Sequence, residues 1–234
     1  MDKSFPANGS LADYQQLMHD IYDLPGDRNF SMSDILAQQQ RFTMRALKGI
    51  RKGDTERLKL NLLDAFSWSV TVANRMHLDI EDIVWHRFPY LCSYCAHCPC
   101  VCKIQKPDHR PELQIDDSQR PTTLKGFQQM FDQIYPADGR TLADAGVHWA
   151  EETGEMSEAI HAYLHEHRPA QLQNIAEEVA DFVSCTMGVA NSAGIDIAEG
   201  SAEMFYKNCL ACHSLPCTCS VENINQFNFE HSTV

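Results

Sequence analysis

Apolar residues recur along this chain at intervals of three and four, the helical period, while strict alternation is weak throughout. The pattern predicts helices over roughly 10–22, 31–52, 54–77 and 79–88, and again over 123–135, 141–166, 170–193 and 196–207. Start signals agree with these bounds. Ser10 with Asp13, Ser31 with Asp34, Asp79 with Asp82, Thr141 with Asp144 and Asp196 with Glu199 each pair a capping side chain with an acid three residues on. Gly53 and Gly194 fall where helices should stop, and Pro169 where one should open. The predicted fold class is all-α.

The helical pattern occurs twice. Residues 61–102 lie over 178–219 without a gap, at an offset of 117. In that frame Val72, Ala73 and Asn74 match Val189, Ala190 and Asn191, and Asp64 falls opposite Asp181. Cys92, Cys95, Pro99, Cys100 and Cys102 fall on Cys209, Cys212, Pro216, Cys217 and Cys219. Upstream, with a shift of four, LADYQQLMHDIY matches LKGFQQMFDQIY. Two helical stretches can match by chance in apolar pattern, but five Cys and Pro positions in one ungapped frame argue for duplication. The expected organisation is one copy over 10–102, a Pro-bearing linker over 103–122, a second copy over 123–219 and a tail over 220–234. Two four-helix units would then pack as a pseudo-dimer within one chain.

The second copy concentrates acids at helical spacing. Glu152 and Glu155 share a helix face, as do Glu178 and Asp181 on the next long helix. A short HEHRPAQ connection favours antiparallel helices, so the two pairs can face each other. Four convergent carboxylates repel, and a hard dication such as Mg²⁺ with oxygen ligands would make them tolerable. A solvated acidic face is the plain alternative for either pair alone. Neither helix carries Glu-x-x-His, which weighs against a di-iron carboxylate centre.

The run Glu151-Glu152-Thr153-Gly154-Glu155, a spacer over 156–177, and Glu178-Val179-Ala180-Asp181 resembles the all-α MazG-like nucleoside triphosphate pyrophosphohydrolases, which include dCTP- and dimeric dUTP-cleaving enzymes. VANSAGIDIAEGSAEMF is similar to that family's last two helices, and the likeness covers about 123–208. The resemblance implies two tandem MazG-like units and cleavage between the α and β phosphates, releasing a nucleoside monophosphate and pyrophosphate. It further implies that Glu152, Glu155, Glu178 and Asp181 hold Mg²⁺ as the catalytic cofactor. Nucleotide-pool control or sanitation is the expected role. Glu151 is a candidate outer base, and Asn191 and Lys207 are candidates to reach sugar or phosphate. Trp149, Phe182, Trp68 and His148 are candidates to stack on the base, although core packing is the ordinary role of each aromatic.

In the first copy, Gln39 stands for Glu152, Phe42 for Glu155 and Asn61 for Glu178, so only Asp64 remains. That half is expected to be silent. Arg45 replaces Glu158 and Lys48 replaces His161, so this cationic helix is either an ordinary charged surface or one that crosses the pseudo-dimer interface to supply cations to the triphosphate as part of the substrate site. Residues 1–117 carry 14 basic and 16 acidic side chains, whereas 118–234 carry 5 and 16, so the negative charge resides in the half with the carboxylate pattern.

Each copy closes on CxxC-x4-CxC: Cys92, Cys95, Cys100 and Cys102, then Cys209, Cys212, Cys217 and Cys219. Four thiolates at such spacing suit structural tetrahedral Zn²⁺, with up to two ions per chain. An iron–sulfur cluster uses the same ligands, and disulfides are the plain alternative. Cys98 has no counterpart, and Cys185 reads as mid-helix core.

Net charge decides what remains. At −13, the chain lacks the basic footprint of a nucleic-acid binder. No apolar run approaches the ~18–20 residues of a membrane span, and the start MDKSFPANGS has no leader-like apolar stretch. The expectation is a cytoplasmic chain with a nucleoside triphosphate as partner, and pairing of pseudo-dimers into a homodimer stays open. The alternative is a non-catalytic nucleotide- or metal-binding module that docks partners through its zinc knuckles.

Overall fold

The computed structural model describes residues 5–229. Every regular element among them is helical. In chain order these are α1 (Leu11–Asn29), α2 (Met32–Lys52), α3 (Thr55–Arg75), α4 (Ile80–Arg87), α5 (Leu124–Ile134), α6 (Leu142–Glu166), α7 (Pro169–Ala193), α8 (Ile197–Met204) and α9 (Val221–Gln226), with two short 3₁₀ turns. No helix among the described residues is long and apolar enough to cross a membrane.

The helix starts follow the sequence signals. Ser10, Ser31 and Thr141 form full capping boxes with Asp13, Asp34 and Asp144. Asp79 and Asp196 accept from the backbone amides of Asp82 and Glu199. Gly53 and Gly194 end α2 and α7 in the left-handed region, at φ 66° and 68°. His77 takes the same conformation, φ 54°, at the position that Gly194 occupies in the second copy. Two elements differ from expectation. Helix α1 runs through Pro25 to Asn29 rather than stopping near residue 22, and α9 forms in the tail.

Aligned residues make aligned bonds. Gln15 donates to Asn74 Oδ1 and the Leu78 carbonyl and accepts from the Ile80 amide. Gln128 donates to Asn191 Oδ1 and the Ile195 carbonyl and accepts from the Ile197 amide. These paired amides fix the turn before α4 and the turn before α8.

The halves also contact each other reciprocally. Helix α2 packs on α6, α3 on α7, α4 on α7 and α8 on α3. Gly146 permits the α2–α6 approach, because a Cβ there would lie 2.8 Å from Ile50 Cδ1 and 2.9 Å from Leu47 Cδ2. The cysteine segments cross over. The Cys100 amide donates to the Ile134 carbonyl at 2.8 Å, and the Cys217 amide donates to the Ile21 carbonyl at 2.8 Å. Each Cys cluster therefore docks on the opening helix of the other half.

Candidate metal and substrate cleft

Helices α6 and α7 run side by side, and Glu152 of α6 and Asp181 of α7 line an open cleft of about 490 Å³. Oxygens of Glu152, Glu178 and Asp181 lie within 4.8 Å of one another. Octahedral Mg²⁺ with bonds of about 2.1 Å spaces its ligands by roughly 3.0–4.2 Å, so small rotamer changes would bring the three onto one ion. Glu152 is 8% exposed and its Oε2 has no hydrogen-bond partner, an orphaned buried acceptor that a cation would satisfy. Its Oε1 lies 3.1 Å from His148 Nε2.

The electrostatics match an unneutralised cluster. Burial, then the charges of Asp181, Glu152 and Glu155, pushes the Glu178 carboxyl up to about 7. Burial also raises Asp181, against the lowering pull of Arg87. Glu155 sits apart from the trio on the exposed rim, where desolvation and then Glu152 and Asp181 raise it. His148 is raised by its bond to Glu152.

The cleft's other wall comes from the first copy. Cys92, Tyr94, Cys100 and Cys102 line it, together with Lys103 and Arg110 of the linker. Arg110 and Lys106 stack over the Tyr94 ring at 5.2 and 4.7 Å. Arg87, on α4, reaches Asp181 through Nε at 3.1 Å and Nη2 at 2.7 Å, and Glu177 through Nη1 at 2.7 Å. The sequence reading missed these cations. The signal for Arg87 was present, because the second copy has Met204 at that position.

Several expected substrate residues lie elsewhere. Trp149 is fully buried, donates to Thr186 Oγ1 at 2.8 Å and packs on Phe182, so it braces α6 against α7. Asn191 is committed to Gln128, accepting from its side chain and donating to its carbonyl. Lys207 is exposed over the Tyr206 ring and does not line the cleft. Arg45 and Lys48 do not cross to the carboxylates. They line a separate small cavity with Arg57 and Asn61, and Arg45 donates to the Phe227 carbonyl. The physical reason is that α2 meets α6 through Leu47 and Ile50, leaving the cations on another face.

That other face is the first copy's counterpart of the acidic cluster. Gln39 is fully buried and donates to Thr43, Asn61 donates to the Arg57 carbonyl, and Phe42 packs on Phe229. Burial pushes Asp64 up to about 7, opposed by Arg41 and Arg45. The tail covers this face. Gln38 donates to Asn225 at 2.7 Å, and Arg41 donates to the carbonyls of Ile224 and Phe227.

The cysteines converge as two groups of four, each with its sulfurs within 4.8 Å. Sulfur spacings include 3.8 Å for Cys92–Cys102, 3.9 Å for Cys95–Cys100, 3.4 Å for Cys209–Cys217 and 3.9 Å for Cys212–Cys217. Tetrahedral Zn²⁺ with Zn–S near 2.3 Å requires about 3.8 Å, so both groups are shaped to hold such an ion. None of the eight is paired in a disulfide in this structure. Comparison of the chain with protein-family models and curated proteins, and of its fold with solved structures, returns no match.

Proposed function

We propose that the chain is a Mg²⁺-dependent nucleoside triphosphate pyrophosphohydrolase, built as two MazG-like units in an intrachain pseudo-dimer with one active half. The observation that carries this reading is the trio of Glu152, Glu178 and Asp181, with the buried, unpartnered Oε2 of Glu152 among them. The donor set is all oxygen and suits Mg²⁺, which when bound would offset triphosphate charge and acidify water near the α phosphorus. Glu152 and Glu178 orient from adjacent helices, and Asp181 is steered by Arg87. Glu155, exposed and outside the trio, acts on it through its charge, which helps to raise Glu178. Lys103 and Arg110 lie on the facing wall as partners for phosphate oxygens. Tyr94, half-buried on the same wall, holds the Arg110 and Lys106 cations over its ring beside the cleft, whereas fully buried Trp149 offers no face to the base. In-line attack then depends on positioning and charge stabilisation. We assign structural Zn²⁺ to the two Cys clusters.

The test is pyrophosphate release from a panel of ribo- and deoxynucleoside triphosphates with Mg²⁺, for wild type and Glu178→Gln. Release by wild type and its loss in the variant support the reading. A second reading has one observation in its favour: the Arg87 guanidinium already satisfies Asp181, as it would in a nucleotide- or metal-binding module without catalysis. Nucleotide binding by calorimetry with no pyrophosphate released would select it.

A further inference from the structure

Beside the carboxylate trio lies a second ligand set of different chemistry. His148 and Glu152 stand one turn apart on α6, and Cys185 faces them from α7. One donor atom from each lies within 4.8 Å of the other two. His148 contacts its two neighbours through different ring nitrogens, Cys185 Sγ at 3.7 Å from Nδ1 and Glu152 Oε1 at 3.1 Å from Nε2, and an ion would take one of the two. A tetrahedral ion with bonds of about 2.0 Å to nitrogen and 2.3 Å to sulfur sets an N–S edge of roughly 3.5 Å, which the first spacing approaches.

We propose that His148, Glu152 and Cys185 form a third thiolate-bearing metal site, for a thiophilic divalent ion of the zinc class, on the flank of the acidic cluster. A mixed sulfur, imidazole and carboxylate set selects such an ion over Mg²⁺, which takes oxygen. Three protein ligands leave one position open, unlike the closed four-sulfur shells of the Cys clusters. The site opens to the cleft, because all three residues line it and the His148 side chain is 62% exposed. Glu152 belongs to both sets, and its Oε2 is buried without a hydrogen-bond partner, an acceptor that a cation at either would satisfy. The repeat gives a further argument. In the first copy the three positions hold Ile35, Gln39 and Trp68, so no ligand is retained there, and all three belong to the half with the acidic cluster. Binding releases the Cys185 thiol proton to solvent as the Zn–S bond forms, so uptake strengthens as pH rises.

The experiment is zinc counting on the full chain by native mass spectrometry at fixed free Zn²⁺, without nucleotide. Wild type should carry about one zinc more than Cys185→Ser or His148→Ala, while Cys98→Ser and Glu178→Gln match wild type. Cys185→His, which keeps a ligand, should recover the additional ion. Equal counts in wild type and Cys185→Ser, with the variant showing native far-UV circular dichroism, would overturn the site. The count is independent of hydrolysis, so a Glu178→Gln chain that loses pyrophosphate release but keeps the additional zinc separates this inference from the proposed activity.

Discussion

Arg87 and Asp181 form a two-pronged ion pair, Nε to Oδ1 at 3.1 Å and Nη2 to Oδ2 at 2.7 Å, joining α4 of the first copy to α7 of the second. Arg87 is 14% and Asp181 19% exposed, so the charges sit largely out of water and each depends on the other. Arg87→Gln should lower the stability of metal-free protein by about 2 kcal/mol, discounting for residual exposure. For a chain of this size that is roughly 4–8 °C in Tm. Because the substitution also removes a cation competing for Asp181, Mg²⁺ should restore more of the lost Tm in the variant than it adds to wild type. Melting curves with and without Mg²⁺ check both parts.

The raised Glu178 carboxyl makes a pH prediction with a definite sign. A carboxyl moved from 4.5 to about 7 holds its proton in the folded chain where the unfolded chain has released it. Folded protein therefore binds more protons between those values, and stability falls as pH rises through that window. Asp64, pushed up to about 7, acts in the same direction. Metal-free protein should thus melt lower at pH 8 than at pH 5.5 as far as these groups contribute. Glu178→Gln should flatten the profile, and Mg²⁺ should stabilise more at pH 8 than at pH 6, where it must displace a proton.

Position within the cleft sets a ranking of variants for pyrophosphate release. Glu152→Gln, Glu178→Gln and Asp181→Asn each remove a member of the convergent trio and should cost at least about 100-fold in kcat/KM. Glu155→Gln acts from the rim and should cost less, about tenfold, by analogy with outer groups that tune a metal site. Arg45→Ala and Lys48→Ala should leave kinetics unchanged, because both residues line the cavity of the other half. A substantial KM increase in either would mean that α2 serves the substrate after all.

The helices and caps were legible because they rest on local chemistry. Ser10, Ser31 and Thr141 announce their boxes within four residues of sequence, and Gly53 and Gly194 their left-handed stops. The Cys groups were legible because short spacing nearly dictates convergence. The acids on α6 and α7 were legible as faces, but spacing could not show that Glu155 sits apart from the trio. Arg45 and Lys48 were misplaced because a repeat alignment says which residues correspond, not which side of a helix meets the other half. Leu47 and Ile50 make that contact and turn the cations away. The pattern ends the first helix near residue 22, yet α1 continues through Pro25 to Asn29, as tertiary packing overrides local propensity. Cys185 and His148 looked like core and a ring to stack, since 37 residues of sequence separate two side chains that the fold brings to 3.7 Å.

The crossed cysteine segments predict unequal effects from equivalent substitutions. Cys100 docks on Ile134 and its cluster walls the acidic cleft, whereas Cys217 docks on Ile21 beside the first copy's apolar pocket. Cys100→Ser should release its ion, loosen the wall carrying Tyr94 and raise KM for nucleotide about tenfold or more. Cys217→Ser should also lose an ion and lower stability, but leave the kinetics close to wild type. Zinc content and steady-state kinetics of the pair distinguish this exchange from clusters that serve only their own half.

Covering of the first copy by the tail can be tested by cutting the chain after Cys219. Phe229 packs edge-on against Phe42 at 6.2 Å, and Phe227 lines a small apolar pocket with Phe30, Ile35 and Trp68. Re-exposing these partly buried rings should cost about 2–3 kcal/mol. It should also red-shift tryptophan emission, since among the three tryptophans Trp68 alone is not fully buried. Binding of a hydrophobic dye should rise as Phe42 is uncovered. Pyrophosphate release should persist, because the acidic cleft has no residue of the tail in its lining. A matching emission spectrum and Tm for the shortened chain would show that these rings carry no load, and the buried Asp64 beside them would then need another source of shelter.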